Sequence, residues 1–366
     1  MKIKITRELL LPVLQATNNV VERRQTLPIL SNLLFQVEGS RIRVTATDME
    51  VELVHEIDNP GNTDGALALP ARKLLDICRA LPADAELTIE GSGSKAKIAS
   101  GRSRFSLASM KADDFPSIGG FDVQVEFMLP AETLIDLVES THFAMAHQDV
   151  RYYLNGMLLE MDNNRLRAVA TDGHRLALTD KAIELELDQV RQHIIPRKGV
   201  LEIARLLNST GGEVTVSIGE NHLRVAGGQQ SLTTKLVDGR FPDYERVIPR
   251  EGSNTVLADR EVLRAGLSRA SILSNEKFRG IRLILKKGLL TAVAHNPEQE
   301  EAEEEIEVEY TGEAMEVGFN VSYLLDVLGV MRTDQVRIEL VDANSSCLLR
   351  APDDASSRYV VMPMRL

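Results

Sequence analysis

The sequence predicts an α+β fold made of three tandem copies of one unit, each with two helices set against antiparallel sheets. Three observations carry this expectation. Asp48, Asp172 and Asn296 end three matching segments at intervals of 124 residues, from 48 to 172 and from 172 to 296: SNLLFQVEGSRIRVTATD (31–48), NGMLLEMDNNRLRAVATD (155–172) and RGIRLILKKGLLTAVAHN (279–296). A helical pattern recurs on the same frame, as LPARKLLDICRAL (69–81), IPRKGVLEIARLL (195–207) and, more faintly, FNVSYLLDVLGVM (319–331). Finally, 366 residues shared among three copies gives 122 each, so the repeat accounts for the whole chain. A triplicated unit of this kind builds a ring, an arc or an array more often than it hides one asymmetric active site.

Within each copy the elements follow in a fixed order of helix, strands, helix, strands. The opening helix reads RELLLPVLQAT (7–17), AETLIDLVEST (131–141) and DREVLRAGLSRAS (259–271). In the second of these Leu134, Ile135 and Val138, with Met145 beyond, should face a core. Pro12 lies inside the first, and an interior proline costs about 3 kcal/mol, so a late helix start or a kink is expected there. The matching segments that follow alternate apolar and polar residues around a polar turn, which is the pattern of half-buried antiparallel strands. The second helix opens on a Pro or Asn and places Val200, Ile203, Ala204 and Leu207 on one face. The last strands carry another echo, GRSRFSLASMKADDFPSI (101–118) against GGQQSLTTKLVDGRFPDY (227–244), while in the third copy SSRYVVMPMRL (356–366) stands in their place. The repeated Phe-Pro pairs, Phe115–Pro116 and Phe241–Pro242, suggest linkers near 116–128 and 242–254, giving copies over 1–124, 125–250 and 251–366.

Copies of this size can bury their own cores. There is no apolar run of 18 residues for a membrane span, and the start, MKIKITRELLLPVL, lacks a small-residue cleavage site expected of a secretory signal. The two cysteines, Cys78 and Cys347, fall in apolar stretches of different copies, which points away from a disulfide or metal framework and toward a reducing cytoplasm. No cofactor is expected. The seven histidines are scattered without a His-x-x-x-His pair. There is no Gly-x-Ser-x-Gly elbow, Walker loop or His-Glu-x-x-His, and GSGS (91–94) reads as a turn between strands because no helix pattern follows it. Catalysis is therefore not expected.

The net charge of −12 alone argues against nucleic acid, because phosphate contacts need Lys and Arg. Its distribution says more. Basic residues recur on corresponding helices: Arg7, His142 and His147, then Arg260, Arg264 and Arg269 on the first set; Arg72, Lys73 and Arg79, then Arg197, Lys198 and Arg205 on the second. The acidic excess lies in strands and turns, above all from Glu298 to Glu309. Taken singly these cations are solvated side chains. Repeated on matching helices, they would make one side of an assembly positive, a surface that holds a phosphate backbone without reading sequence.

Eight strings in one order now carry a specific resemblance: TLPIL (26–30), GRSRFSL (101–107), AHQDVRYYLNGM (146–157), VATDGHRL (169–176), KLVDGRFPDY (235–244), ILSNEKFRG (272–280), NPEQEEAEE (296–304) and the terminal VVMPMRL. Over its whole length the chain resembles the bacterial sliding clamps, the beta subunits of the DNA polymerase III holoenzyme. The resemblance implies three DNA-clamp domains per chain and a head-to-tail homodimer closed into a ring. Helices would line the hole, continuous sheet would form the outside, and encircled duplex DNA would be held without sequence specificity. It implies a non-catalytic processivity factor whose partners are the polymerase III alpha subunit, the clamp loader, and other polymerases and repair proteins bound through short linear motifs. Topological linkage supplies retention, so each phosphate contact can stay weak and exchangeable.

By this resemblance Arg24, Arg72, Gln148, Tyr152 and Tyr153 match positions that contact DNA; charge adds Lys73, Lys198 and Arg205. A buried tyrosine pair on a strand is the plainer reading of Tyr152 and Tyr153. The partner cleft is implied at Leu154, Thr171, Gly173, His174, Arg175, Leu176, Pro242, Arg246 and Val247. Its far side would be Asn320, Tyr323, Ser346, Val360, Met362, Pro363, Met364, Arg365 and Leu366. Val, Leu and Met make such a pocket adaptable. Asn344 stands where an aliphatic wall residue is expected. The acidic run, with Glu298, Glu300, Glu301, Glu303 and Glu304, is implied at the dimer seam. Arg102 and Arg104 would face it, and Phe105 and Leu107 would pack on Ile272 and Leu273. The other reading of the chain as a whole is a repeat-built protein-binding scaffold that does not encircle DNA.

Overall fold

The computed structural model describes residues 1–21, 27–249, 252 and 254–365. Arg24 and Leu366 therefore lie outside the described residues. The first copy runs β1 (Lys2–Thr6), α1 (Arg7–Val20), β2 (Asn32–Glu38), β3 (Arg41–Thr47), β4 (Val51–Asp58), β5 (Gly65–Pro70), α2 (Ala71–Ala80), β6 (Glu86–Ser92), β7 (Lys95–Ser100) and β8 (Ser103–Ala108). The second runs β9 (Val125–Pro130), α3 (Ala131–Glu139), β10 (Gly156–Asp162), β11 (Arg165–Thr171), β12 (Arg175–Ala182), β13 (Arg191–Pro196), α4 (Arg197–Ser209), β14 (Glu213–Ile218), β15 (His222–Gly227) and β16 (Gln230–Lys235). The third runs β17 (Asn254–Asp259), α5 (Arg260–Ala270), β18 (Gly280–Lys286), β19 (Leu289–His295), β20 (Glu301–Glu307), β21 (Met315–Asn320), α6 (Val321–Val330), β22 (Gln335–Leu340), β23 (Cys347–Arg350) and β24 (Ser357–Val361).

Each copy is thus two successive strand–helix–three-strand halves. The sequence reading missed the strand that opens every half, because five or six residues such as KIKIT run straight into the helix without a turn signal. These opening strands change places: β1 pairs with β6, and β5 pairs with β2, so neither half completes its sheet alone.

The chain divides into two compact units, Met1–Ile135 with Lys198–Leu236, and Asp136–Arg197 with Val237–Leu366. The first holds an antiparallel sheet in the order β5-β2-β3-β4-β16-β15-β14-β9 and a smaller one, β1-β6-β7-β8. The second holds β13-β10-β11-β12-β24-β23-β22-β17 and β20-β19-β18-β21. The long sheet of each unit therefore joins strands of two successive copies, at β4–β16 and at β12–β24.

Helix α1 starts at Arg7, not late, because the Thr6 hydroxyl caps it by accepting from the Leu9 amide. Leu10, Val13, Leu14, Thr17 and Val20 are buried along one face, and Pro12 sits on the exposed face inside the same helix. Burial of that apolar stripe, at about 25 cal/mol per Å², offsets the single hydrogen bond the proline removes. In α3, Leu134 and Val138 are buried as expected, whereas Ile135 is only half-buried and Leu137 takes the core position. The Phe-Pro pairs are anchors as well as connections: Phe115 packs with Ile29, Leu30, Leu34 and Ala68, and Phe241 enters the apolar cluster of the second unit. Cys78 and Cys347 are both buried thiols. Among the described residues no helix is long and apolar enough to cross a membrane, and no cluster of His, Cys, Asp and Glu could hold a metal.

Candidate peptide cleft and nucleic-acid interface

The described cleft residues named from the sequence all lie in the second unit, and two of them, Leu176 and Val360, belong to its apolar cluster. Leu158, Val169, Leu176, Leu178, Ile194, Phe241, Tyr244, Leu348 and Val360 form it, with Tyr153, Val237 and Ile248 packed against it. Leu176 on β12 stands directly opposite Val360 on β24, so the floor lies where strands of two copies meet. Leu154 is buried on a short 3-10 helix (Tyr152–Leu154) at one side. Pro242 and the 3-10 helix Tyr244–Val247 form a wall, with Val247 exposed and Arg246 paired to Asp243 at 2.6 Å.

The turn Asp172–Arg175 gives the TDGHR string its local shape. Asp172 Oδ1 accepts the amides of His174 and Arg175, and Thr171 Oγ1 donates to the Arg175 carbonyl. Gly173 sits at φ +90°, where a side chain would also meet the Arg151 guanidinium. His174 itself points to solvent; its carbonyl accepts the Met362 amide at 2.9 Å. The tail is held again by the Met364 amide on the Gly318 carbonyl at 2.9 Å, so VMPMR is ordered edge structure and not a frayed end.

Arg175 is the most connected side chain here. It donates to Asp172 Oδ2 at 3.1 Å, to the Phe143 carbonyl at 2.7 Å and to Asp326 on α6, and its guanidinium lies over both Phe143 and Tyr323. Asn320 caps α6 by accepting the Ser322 amide. Asn344, where an aliphatic side chain was expected, lies exposed in a turn with its backbone amide donating to Asp342 Oδ1. Sequence reasoning missed Phe143, Asp326, Phe241 and Tyr244; the repeated Phe-Pro echo was the available signal for the last two.

The expected DNA contacts separate into two kinds. Tyr152 is 58% exposed, but Tyr153 is half-buried against the cleft cluster and meets Tyr152 edge-on at 5.8 Å. Both belong to a 3-10 helix, not a strand. Gln148, at φ +58°, opens an arch whose tip, Val150, is 95% exposed. Asp149 stiffens the arch through Arg151 Nε and Nη2, while the Asn155 amide side chain clasps Asp149 N and O. Hydrogen bonds from Arg151 hold the Asp149 carboxyl down at about 2.

In the first unit, Arg72 and Lys73 are exposed on α2, with Arg72 paired to Asp76 at 3.2 Å. Lys198 and Arg205 on α4 are more committed. Lys198 donates to Asp48 and to the Val20 carbonyl, and Arg205 pairs with Glu202. Burial raises the Glu202 carboxyl against the pull of Arg205 and Lys198.

The residues expected at a seam lie on or beside β8 and β20, outermost strands of the two smaller sheets. On β8, Arg104 is exposed, Phe105 half-buried and Leu107 buried; Arg102 precedes it in an exposed turn. On β20, Glu301 and Glu303 face outward and Glu304 is bonded in both oxygens to Arg269 at 2.8 and 2.7 Å. Glu298 and Glu300 occupy the turn before it, and Ile272 beside it is 75% exposed, with Leu273 half-buried.

Three family models cover almost the whole chain: the DNA polymerase III beta subunit N-terminal domain over residues 1–119, its central domain over 128–243 and its C-terminal domain over 245–365. The chain belongs to the DNA polymerase III beta subunit family. It is 54% identical to the beta sliding clamp of Pseudomonas putida and 48% identical to that of Escherichia coli, covering 100% of this chain and of the P. putida protein. Among solved structures it matches the Pseudomonas aeruginosa DNA polymerase sliding clamp with ligand, at a TM-score of 0.96, 52% identity and full coverage of both chains. The P. aeruginosa clamp bound to griselimycin matches equally, at 0.96 and 53%. The three domain models of the family fall on the three copies of the repeat.

Proposed function

We propose that the chain acts as a DNA polymerase processivity factor: a homodimeric sliding clamp that encircles duplex DNA without reading its sequence and tethers polymerase and other partners through a peptide cleft. Its chemistry is non-covalent throughout. One observation carries the ring closure. Internal copies join through their last strands, β4 to β16 and β12 to β24, whereas β8 and β20, the corresponding strands at the two ends, pair on one side only among the described residues. A second copy, placed head to tail, supplies what each edge lacks.

The internal joints also give the register. Glu52 stands opposite Thr233 in one joint and Leu176 opposite Val360 in the other. By the neighbouring ladders, Glu301 takes the place of Glu52 and Ser106 that of Thr233. Phe105 then meets Ala302 and Arg104 meets Glu303 of the second copy. Inward residues face inward residues, and the basic strand meets the acidic one.

For the inner surface we assign Arg72, Lys73, Gln148 and Tyr152 as the principal DNA contacts, with Tyr153, Lys198 and Arg205 in support. Neutralising carboxylates beside the helix cations keep each phosphate contact weak, which suits a surface that must slide. The cleft takes short apolar motifs from the polymerase III alpha subunit, the clamp loader and repair proteins. The cleft assignments from Leu154 to Arg365 all fall in the second unit, with the Leu176–Val360 pair at their centre as the proposed floor. Domain limits at 1–124, 125–250 and 251–366 follow the starts of β9 and β17, and a cytoplasmic location suits the two buried thiols.

The test is retention after loading. The protein should remain on circular duplex DNA and run off once the circle is linearised. Equal loss from both forms would leave a scaffold that does not encircle DNA.

A further inference from the structure

A buried charged network lies behind the apolar floor of the cleft, and none of its members is among the cleft residues. Arg167 on β11 has a side chain only 5% exposed. It donates through Nε and Nη2 to Asp180 on β12, and through Nη1 to the Tyr244 hydroxyl at 3.0 Å. That hydroxyl donates in turn to Glu160 Oε1 on β10, also at 3.0 Å. Arg358 on β24 reaches the same Asp180 at 2.9 Å, so the network spans the joint between copies.

Tyr244 is where this network meets the cleft. Its ring packs edge-on against Phe241 at 6.4 Å inside the apolar cluster that contains Leu176 and Val360. Its backbone opens the 3-10 helix Tyr244–Val247 that makes the wall. The rest of the helix is exposed, and its Glu245 carboxylate also accepts from Arg167 Nη1, at 3.3 Å. Burial pushes the Tyr244 hydroxyl up to about 12, so it stays a neutral donor. Burial works against the Arg167 charge too, but the hydrogen bonds to Asp180 and Tyr244 outweigh it and hold the guanidinium above its ordinary value. A buried arginine with this many partners is costly to assemble and is a fixed reference point once assembled.

We propose that Arg167 and Tyr244 are positioning residues for partner binding: Arg167, anchored on Asp180, fixes the Tyr244 hydroxyl and thereby the Pro242–Val247 wall. The proposal rests on the cleft reading above. It makes the wall a preformed surface, so an incoming peptide orders fewer protein groups as it binds.

The test uses the full chain and a fluorescein-labelled synthetic peptide carrying the clamp-binding motif of a polymerase III alpha subunit. Tyr244→Phe removes one oxygen and keeps the ring. It removes two buried hydrogen bonds, and the part of that loss felt at the wall should weaken the peptide roughly fivefold to tenfold through faster dissociation. Amides 245–248 should exchange faster in the same variant, with retention on circular DNA unchanged. Arg167→Lys keeps the charge but not the reach to both partners and should act alike, which covers a Tyr244 variant that folds poorly. Parental affinity in both Tyr244→Phe and Arg167→Lys, while Leu176→Asp abolishes binding, overturns the positioning role and leaves the cleft standing. Parental affinity in Leu176→Asp overturns the cleft reading and this proposal with it.

Discussion

Arg175 from the second copy sits over the ring of Tyr323 from the third, its guanidinium carbon 4.6 Å from the ring centroid. The same guanidinium bonds Asp172, Asp326 and the Phe143 carbonyl, so it ties the cleft turn to α6 with both charge and stacking. Arg175→Ala should weaken partner-peptide binding by about 2 kcal/mol, or roughly thirtyfold, and Asp326→Asn by less. Isothermal titration with the same peptide measures both. An Arg175→Ala protein that binds as tightly as the parent would remove this side chain from the site.

Lys198 gives a different expectation from the one its charge suggests. Its amine is committed to Asp48, whose side chain is 6% exposed, and to the Val20 carbonyl. Lys198→Met should therefore cost about 1–3 kcal/mol of stability by leaving a nearly buried carboxylate short of a partner. The melting temperature of the full chain should fall by several degrees. If instead only DNA retention suffers and melting is unchanged, the lysine is a phosphate contact first.

The seam register can be read by cross-linking. A chain carrying both Arg104→Cys and Glu303→Cys should form covalent dimers under mild oxidation, since the proposed register sets these two positions opposite each other and both native thiols are buried. Pairing Arg104→Cys with Glu307→Cys, four residues off register, should not. Leu273→Asp should give monomers by sedimentation; an unchanged dimer would sink this account of the seam.

The arch at Asp149 makes a pH prediction. Its carboxyl is held near 2, so the folded arch favours the ionised form. A depressed acid contributes its stabilisation above its ordinary value and loses it as the pH falls through the folded one. The arch should thus keep its geometry through mild acid and loosen only as pH approaches about 2, which the Asp149 carboxyl carbon shift in an NMR titration reports. A midpoint near 4 would mean that Arg151 does not hold it.

Repeat period, helix faces and strand pairs were legible because each leaves a periodic trace of apolar residues. The opening strand of every half was not, since KIKIT and its counterparts have too few residues to show alternation before the helix pattern begins. Pro12 misled about the helix start for a related reason: local propensity disfavours it, but five buried positions on the far side of α1 outvote it. The cleft's rim came from motif strings, whereas its supports, Arg167, Asp180 and Tyr244, are distant in sequence and meet only through the sheet. Helix charge was visible, but not that Asp48, Asp76 and Glu202 would answer it at short range.

The acidic strand β20 has a further consequence before any dimer exists. In a newly made chain β8 and β20 are uncovered sheet edges, and such edges invite aggregation. Glu301, Glu303, Glu305 and Glu307 line the outward face of β20, so two such strands brought together would oppose carboxylate to carboxylate. Two β8 strands would likewise bring Arg104 near its own copy. Each edge is thereby repelled by itself and accepted by the other, which keeps monomers from sticking together in the wrong orientation while they wait for a partner.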